Sequence, residues 1–121
     1  MAGAVAQPAR RLLYLVHGAA SYYHEAAYSL LSLWRQPGGD AIEIVVETDD
    51  PATMQALIGT PPQLQYLVYT REQRRDWEGA LGYIHRMKPC AFRWAIDMLD
   101  PDGDRVWAFV DSDTAFTRPP Q

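Results

Sequence analysis

Two aspartates near the end of the chain have the type and spacing of metal ligands. Asp111 and Asp113 are separated by one serine and directly follow the apolar run RVWAFV at residues 105–110. Carboxylates at positions i and i+2 can reach one cation where a strand ends. Their oxygens suit Mg²⁺ or Mn²⁺, with waters and the phosphates of a substrate as the remaining ligands. A simple polar turn is the alternative interpretation, because D-x-D triplets are common.

Four apolar runs are predicted to be the strands that position these aspartates. They lie at residues 11–17, 41–48, 63–70 and 105–110, and helical segments separate them. The connections are too long for hairpins and long enough for crossovers, which predicts an α/β fold with a mostly parallel sheet. The last strand must reach the loop after the first strand, and right-handed crossovers then favour the strand order 3-2-1-4.

The helices between the strands are predicted from apolar spacing and capping residues. Ser21 is predicted to be the N-cap of a helix at 22–35, and Asp50 followed by a proline begins a short helix at 52–58. Residues 71–88 have helical character that two glycines weaken. Pro89 disfavours helical geometry at the residue before it and predicts that a new helix begins there.

Ligands of open parallel sheets bind at the carboxyl ends of the strands. The residues predicted at that edge include His17, Asp49, Thr70 and the segment 111–113. No G-x-G-x-x-G follows the first strand and no G-x-x-x-x-G-K occurs, which disfavours dinucleotide and P-loop sites. His17 is a candidate ligand-binding residue, although a histidine bonded to backbone is the commoner case.

Composition excludes several classes of protein. The chain has 121 residues, which is one domain, and its formal charge of −4 without a basic stripe predicts no nucleic-acid partner. The single cysteine, Cys90, excludes an internal disulfide and a cysteine-rich zinc site. No apolar run is long enough for a membrane span, and residues 1–10 lack a signal-peptide core. They are predicted to be a flexible leader of a cytoplasmic protein.

Several segments resemble glycosyltransferases with the GT-A fold, and among them the glycogenin-like nucleotide-diphospho-sugar transferases. RVWAFVDSDTAFTRP is similar to their D-x-D segment, and HRMKPCAFRWAI to the helix before it. YLVHGAASYYHEAAYSL resembles their first strand and helix, and IVVETDDP their second strand. The resemblance spans residues 11–119. It implies a donor-binding half-domain at 11–121 that binds a UDP- or GDP-linked sugar through Mn²⁺ or Mg²⁺ and transfers the sugar to an unknown acceptor.

The resemblance also implies roles for particular residues. Asp113 would be the direct metal ligand, and Asp111 would contact the ribose or the metal. Tyr22, or its neighbour Tyr23, would stack on the base, and Asp49 would lie near the base or ribose. Lys88 would approach the diphosphate.

Lys88 and both tyrosines also have simpler interpretations. Lys88 could be a plain surface lysine, and at least one of Tyr22 and Tyr23 is expected to pack the first helix on the sheet. The chain departs from the family at Pro89, directly after Lys88, which could re-aim that lysine.

Two other classes remain as alternatives. One is a non-catalytic α/β module that binds a nucleotide or a protein partner. The other is an aspartyl phosphatase, whose motif normally follows the first strand and not the last. The counterparts of the family's acceptor-binding half and later metal-binding histidine would lie beyond residue 121. The chain is therefore expected to be inactive alone, and the apolar residues of its fourth strand predict self-association through an open sheet face.

Overall fold

A four-stranded parallel sheet forms the centre of the molecule. The structure is a computed structural model that describes residues 10–79 and 84–117. Strand β1 (Arg10–Val16) lies between β2 (Glu43–Thr48) and β4 (Val106–Val110), and β3 (Leu64–Val68) pairs with β2. Every pairing is parallel, and the order is β3-β2-β1-β4. The predicted α/β class and strand order are confirmed.

Two helices cover each face of this sheet. Helices α1 (Ala20–Trp34) and α2 (Pro51–Ile58) contact each other over one face, and α3 (Arg71–Glu78) and α4 (Ile84–Leu99) contact each other and pack over the other. Parallel sheets are covered in this way because crossover helices pack on both of their faces. No helix among the described residues is long and apolar enough to cross a membrane.

The central position of β1 in the sheet explains why its sequence is apolar almost throughout. Successive side chains of a strand point to opposite faces. Leu12, Tyr14 and Val16 therefore enter the core under α1 and α2, whereas Leu13 enters the core on the α4 side. The Tyr14 hydroxyl shares a buried hydrogen bond of 2.8 Å with Ser29 Oγ of α1, which satisfies the one polar atom on this buried face of the strand.

The helix starts agree with the prediction at α2 and differ from it at α1. Asp50 caps α2 by accepting a hydrogen bond from Thr53 N at 3.3 Å, and Pro51 occupies the first turn. In contrast, α1 begins at Ala20, before Ser21, and its N-cap residue Ala19 makes no side-chain hydrogen bond. The prediction that Ser21 caps this helix was wrong, because the chain turns at Gly18 (φ 93°) and enters the helix earlier.

The second correction concerns Pro89. Helix α4 begins at Ile84, so Pro89 lies inside the helix and does not start it. A proline there removes one backbone hydrogen bond and crowds the preceding turn. Met87 and Ala91, on either side of Pro89, are both fully buried. We attribute the continued helix to this packing, which outweighs the local preference of the residue before proline.

Strand ends also differ by a few residues. Residues 39–41 form a 3₁₀ turn, so β2 starts at Glu43 and not at residue 41. Thr70 caps α3 in a reciprocal hydrogen-bonded pair with Gln73, so it belongs to the helix start and not to β3. At this end of β3, the capping hydrogen bonds between Thr70 and Gln73 take the place of strand pairing.

Strand β4 is the least covered strand of the sheet. It lies at one end of the strand order, and Val106 and Phe109 are both about half exposed. Trp107 and Phe109 pair in register with Arg11 and Leu13, so both point to the α4 face. Trp107 packs against the core there, whereas Phe109 stacks on Phe92 of α4 with ring centroids 4.1 Å apart.

Candidate functional site

The strand order places a crevice between β1 and β4. From β1 the chain proceeds outward to β2 and β3, and β4 then returns to the other side of β1. Ligands of open α/β sheets bind where the order reverses in this way, at the carboxyl ends of the strands. A cleft of about 430 Å³ lies at that point in the structure. The residues that line it are Leu15, His17, Tyr22, Glu25, Lys88, Phe92, Val110, Asp111, Ser112 and Asp113.

Most of the predicted site residues meet in this cleft. His17, Tyr22, Lys88, Asp111 and Asp113 all line it. Tyr23 and Asp49, which were also predicted, do not line it and are hydrogen bonded to each other instead. Among the predicted residues, the cleft therefore joins a histidine that follows β1, a tyrosine of α1, a lysine of α4 and two aspartates that follow β4.

The two aspartates lie on a tight turn directly after β4. Thr114 N donates a hydrogen bond of 2.9 Å to the Asp111 carbonyl, which closes the turn. No group of three His, Cys, Asp or Glu side chains within residues 10–79 and 84–117 is arranged to hold a metal ion. Asp111 and Asp113 thus supply two carboxylates at most. That donor set fits Mg²⁺ or Mn²⁺, which bind through one or two carboxylates when water and phosphate oxygens complete the coordination.

Lys88 makes an ion pair with the first of these aspartates. Its Nζ donates to Asp111 Oδ1 at 2.8 Å. The buried neighbours Met87 and Ala91 fix the position of the backbone of α4, so the Lys88 side chain starts from a defined point on the cleft wall. Pro89 does not turn Lys88 away from the cleft.

Tyr22 stands over the loop between β1 and α1. Its ring is about half exposed, and a Cβ added at Gly18 would lie 3.1 Å from the ring atom Cδ2. The positive φ of Gly18 favours glycine as well. The absence of a side chain at Gly18 therefore leaves room for the exposed Tyr22 ring beside the loop, where a planar group can stack on it.

Tyr23 and Asp49 form a separate network. The buried Tyr23 hydroxyl donates to Asp49 Oδ1 at 2.7 Å, and Arg74 Nη1 of α3 lies 3.9 Å from Asp49 Oδ2. Burial, and then the hydrogen bond to Asp49, raise the pKa of Tyr23 to about 12. These contacts connect α1, β2 and α3.

His17 lines the cleft and is influenced electrostatically by Asp49 and Arg74 of this network. Burial lowers its pKa, and the positive charges of Arg74 and Lys88 lower it further, against the opposing effect of Asp49 and Glu78. The ring is therefore neutral at pH 7. Its Nδ1 atom is buried and has no hydrogen-bond partner among the described residues.

Glu25 is a cleft residue that sequence reasoning missed. It lies three residues after Tyr22 on α1, and residues at this spacing share one face of a helix. The helical spacing from Tyr22 is the sequence signal that could have identified Glu25. With Glu25, three carboxylates and one ammonium group line the cleft.

A second set of polar groups is buried away from the cleft lining. Glu47 of β2 is fully buried, and neither of its carboxylate oxygens has a partner among the described residues. Its register neighbours are Leu15 and Leu67. Burial raises the pKa of Glu47 to about 8, so the side chain is mainly protonated at pH 7. The Tyr69 hydroxyl is likewise buried without a described partner.

No protein-family model, curated protein sequence or solved structure matches the chain.

Proposed function

We propose that the chain is the donor-binding part of a glycosyltransferase and binds a nucleoside-diphosphate sugar through Mn²⁺ or Mg²⁺. One observation carries this proposal: Asp111, Asp113, Lys88 and Tyr22 line one cleft at the β1–β4 crevice. A nucleoside diphosphate has a planar base, a diphosphate and a need for a counter-cation. In the cleft, the aromatic ring of Tyr22 complements the base, the ammonium group of Lys88 complements the diphosphate, and the two carboxylates complement the cation.

The charges of the cleft explain why a cation would be required. Glu25, Asp111 and Asp113 outnumber the single ammonium of Lys88, and His17 is neutral. A diphosphate alone would be repelled by this net negative charge. A divalent ion on the two aspartates would reverse that repulsion and stabilise the charge that develops on a departing nucleoside diphosphate.

The apolar part of the lining suits a partly dehydrated ligand. Leu15, Phe92 and Val110 form the apolar lining. Their contact with a ligand would exclude water and strengthen the electrostatic interactions nearby. In this proposal Lys88 binds the diphosphate and Tyr22 orients the base.

Isothermal titration calorimetry with UDP and GDP tests the proposal. We expect micromolar to millimolar affinity for one of them with Mn²⁺ present, and at least a roughly tenfold loss with a chelator or in D113N. The matched control is D97N, because Asp97 is an exposed carboxylate on α4 outside the cleft. Equal affinity with Mn²⁺ and with chelator would contradict a metal-dependent site.

A further inference from the structure

The ion pair between Lys88 and Asp111 lies where the cation of the proposed site would bind. Lys88 Nζ is 2.8 Å from Asp111 Oδ1, and the two side chains are 56% and 70% exposed. An ion pair this exposed is weak, because water screens both charges. It can therefore be exchanged at little cost.

We propose that Lys88 is a built-in counter-cation: it competes with the divalent metal for Asp111, and metal binding transfers its ammonium group from that carboxylate to the diphosphate. This inference rests on the proposed function of the same cleft. It goes beyond that function because it couples the two binding events through one side chain.

The net charge of the cleft determines the order in which the metal and the diphosphate bind. Without a metal the cleft has three carboxylates and one ammonium group, so its net charge is negative and attracts a cation before a diphosphate. A divalent ion carries twice the charge of the ammonium group and can bind a carboxylate oxygen directly, so it displaces Lys88 from Asp111. With the charge of the aspartates neutralised in this way, Lys88 would present a free ammonium group on the cleft wall to the incoming diphosphate.

The fixed backbone around Lys88 keeps the released side chain in the cleft. Met87 and Ala91 are fully buried, so α4 does not move with the lysine. Only the flexible side chain has to rotate. The same residue therefore opposes metal binding in one step and favours nucleotide binding in the next.

The coupling is tested by two titrations, in which removal of the Lys88 charge should change the Mn²⁺ affinity and the nucleotide affinity in opposite directions. We expect K88M to bind Mn²⁺ about three- to fivefold more tightly without nucleotide, because the competing cation is gone. At saturating Mn²⁺ the same variant should bind UDP or GDP about five- to tenfold more weakly, because a charge-assisted contact to phosphate is lost. Free Mn²⁺ is followed by electron paramagnetic resonance, and nucleotide binding by calorimetry.

Two further variants control these titrations. R93Q removes a positive charge from the same helix at an exposed position outside the cleft, and it should change neither affinity. K88R keeps a cation at the position, so it should retain the competition and bind Mn²⁺ no more tightly than the unaltered chain. Circular dichroism confirms that each variant is folded, as expected for an exposed residue.

The outcomes separate this inference from the proposed function. Unchanged or weaker Mn²⁺ binding by K88M overturns the exchange, even when the unaltered chain binds both metal and nucleotide. Mn²⁺ binding without nucleotide binding by the unaltered chain overturns the donor-site proposal and the transfer of Lys88 to a diphosphate. An unaltered chain that binds no Mn²⁺ overturns both.

Discussion

Tyr22 and Tyr28 are both exposed tyrosines on α1, but only Tyr22 lines the cleft. We expect Y22A to lower the affinity for the nucleoside diphosphate by about tenfold, since stacking of an aromatic ring on a base contributes roughly 1–3 kcal/mol. Y28A is the matched control and should leave the affinity unchanged. Calorimetry at saturating Mn²⁺ compares the two. Equal losses in both variants would show that Tyr22 has no special contact with the base.

The buried carboxyl group of Glu47 gives the protein a pH-dependent stability. Its pKa in the folded chain is about 8, against an ordinary value of 4.5. Below pH 4.5 the group is protonated in both states, so its ionisation does not alter the stability. Between pH 4.5 and pH 8 the unfolded chain ionises first, so stability falls as pH rises, and the loss is complete above pH 8.

We therefore expect E47Q to remove this part of the pH dependence. From pH 5 to pH 8 the free energy of unfolding of the unaltered chain should fall by about 2–4 kcal/mol more than that of E47Q. Urea denaturation at several pH values measures both. E72Q, which alters an exposed carboxyl group on α3, is the control. Parallel pH profiles for the unaltered chain and E47Q would show that Glu47 is ionised in the folded state.

At the scale of single residues, some roles can be predicted from the sequence and some contacts cannot. The roles proposed for Asp111 and Asp113 depend on a strand end and on a motif, and the role of Lys88 depends on the resemblance of its segment to a family, all of which are local properties of the sequence. The hydrogen bond from Tyr23 to Asp49 could not be predicted in the same way, because it depends on how α1 meets β2. Glu47 is buried without a described partner, although charged residues normally avoid the interior. No neighbouring residue in the sequence predicts this burial.

At the scale of elements, β4 combines a covered and an uncovered aromatic residue on one face. We expect F109T to reduce concentration-dependent self-association at a cost of about 1 kcal/mol, since it loses the stack on Phe92 and little burial. W107T should cost about 2–3 kcal/mol, because Trp107 is partly buried against the core and lies under Arg11. Sedimentation velocity and urea denaturation separate the two effects. A monomeric unaltered chain at high concentration would contradict the self-association.

The turn between α4 and β4 depends on Asp100. This buried carboxylate accepts hydrogen bonds from Asp104 N, Arg105 N and the Trp107 indole. Burial acts to raise its pKa, but the hydrogen bonds together outweigh burial and hold the pKa below its usual value. We expect D100A to destabilise the fold by about 2–3 kcal/mol, since three donors lose their acceptor. D102A, at an exposed position of the same turn, should have little effect in the same denaturation experiment. Similar stability of both variants would contradict this role.

The elements were predicted well where local and long-range preferences agree. The apolar runs gave the four strands, and Asp50 with Pro51 gave the start of α2. Pro89 and Ser21 gave wrong helix starts because the rules for them describe the local chain alone. In the folded molecule, the burial of Met87 and Ala91 keeps α4 continuous through Pro89. Packing of this kind depends on residues from other elements and is not visible in a single segment.

At the scale of the whole molecule, topology determines where the chemistry can occur. The order β3-β2-β1-β4 reverses between β1 and β4, and the cleft with the two aspartates lies there. A second, smaller hollow of about 200 Å³ is lined by Arg11, Glu43 and residues at the start of β3, near the amino ends of the strands. It provides an internal comparison, because it contains acidic and basic groups but no paired aspartates.

The most direct test is the location of a bound paramagnetic ion by nuclear magnetic resonance. Substoichiometric Mn²⁺ should broaden the amide signals of Asp111–Thr114, Tyr22 and Glu25, and leave those of Gln63–Gln65 near the smaller hollow sharp. Mg²⁺ at the same concentrations is the diamagnetic control and should shift the same signals without broadening them. Uniform broadening across the sheet, or broadening centred on Gln63–Gln65, would contradict a metal site at the β1–β4 cleft.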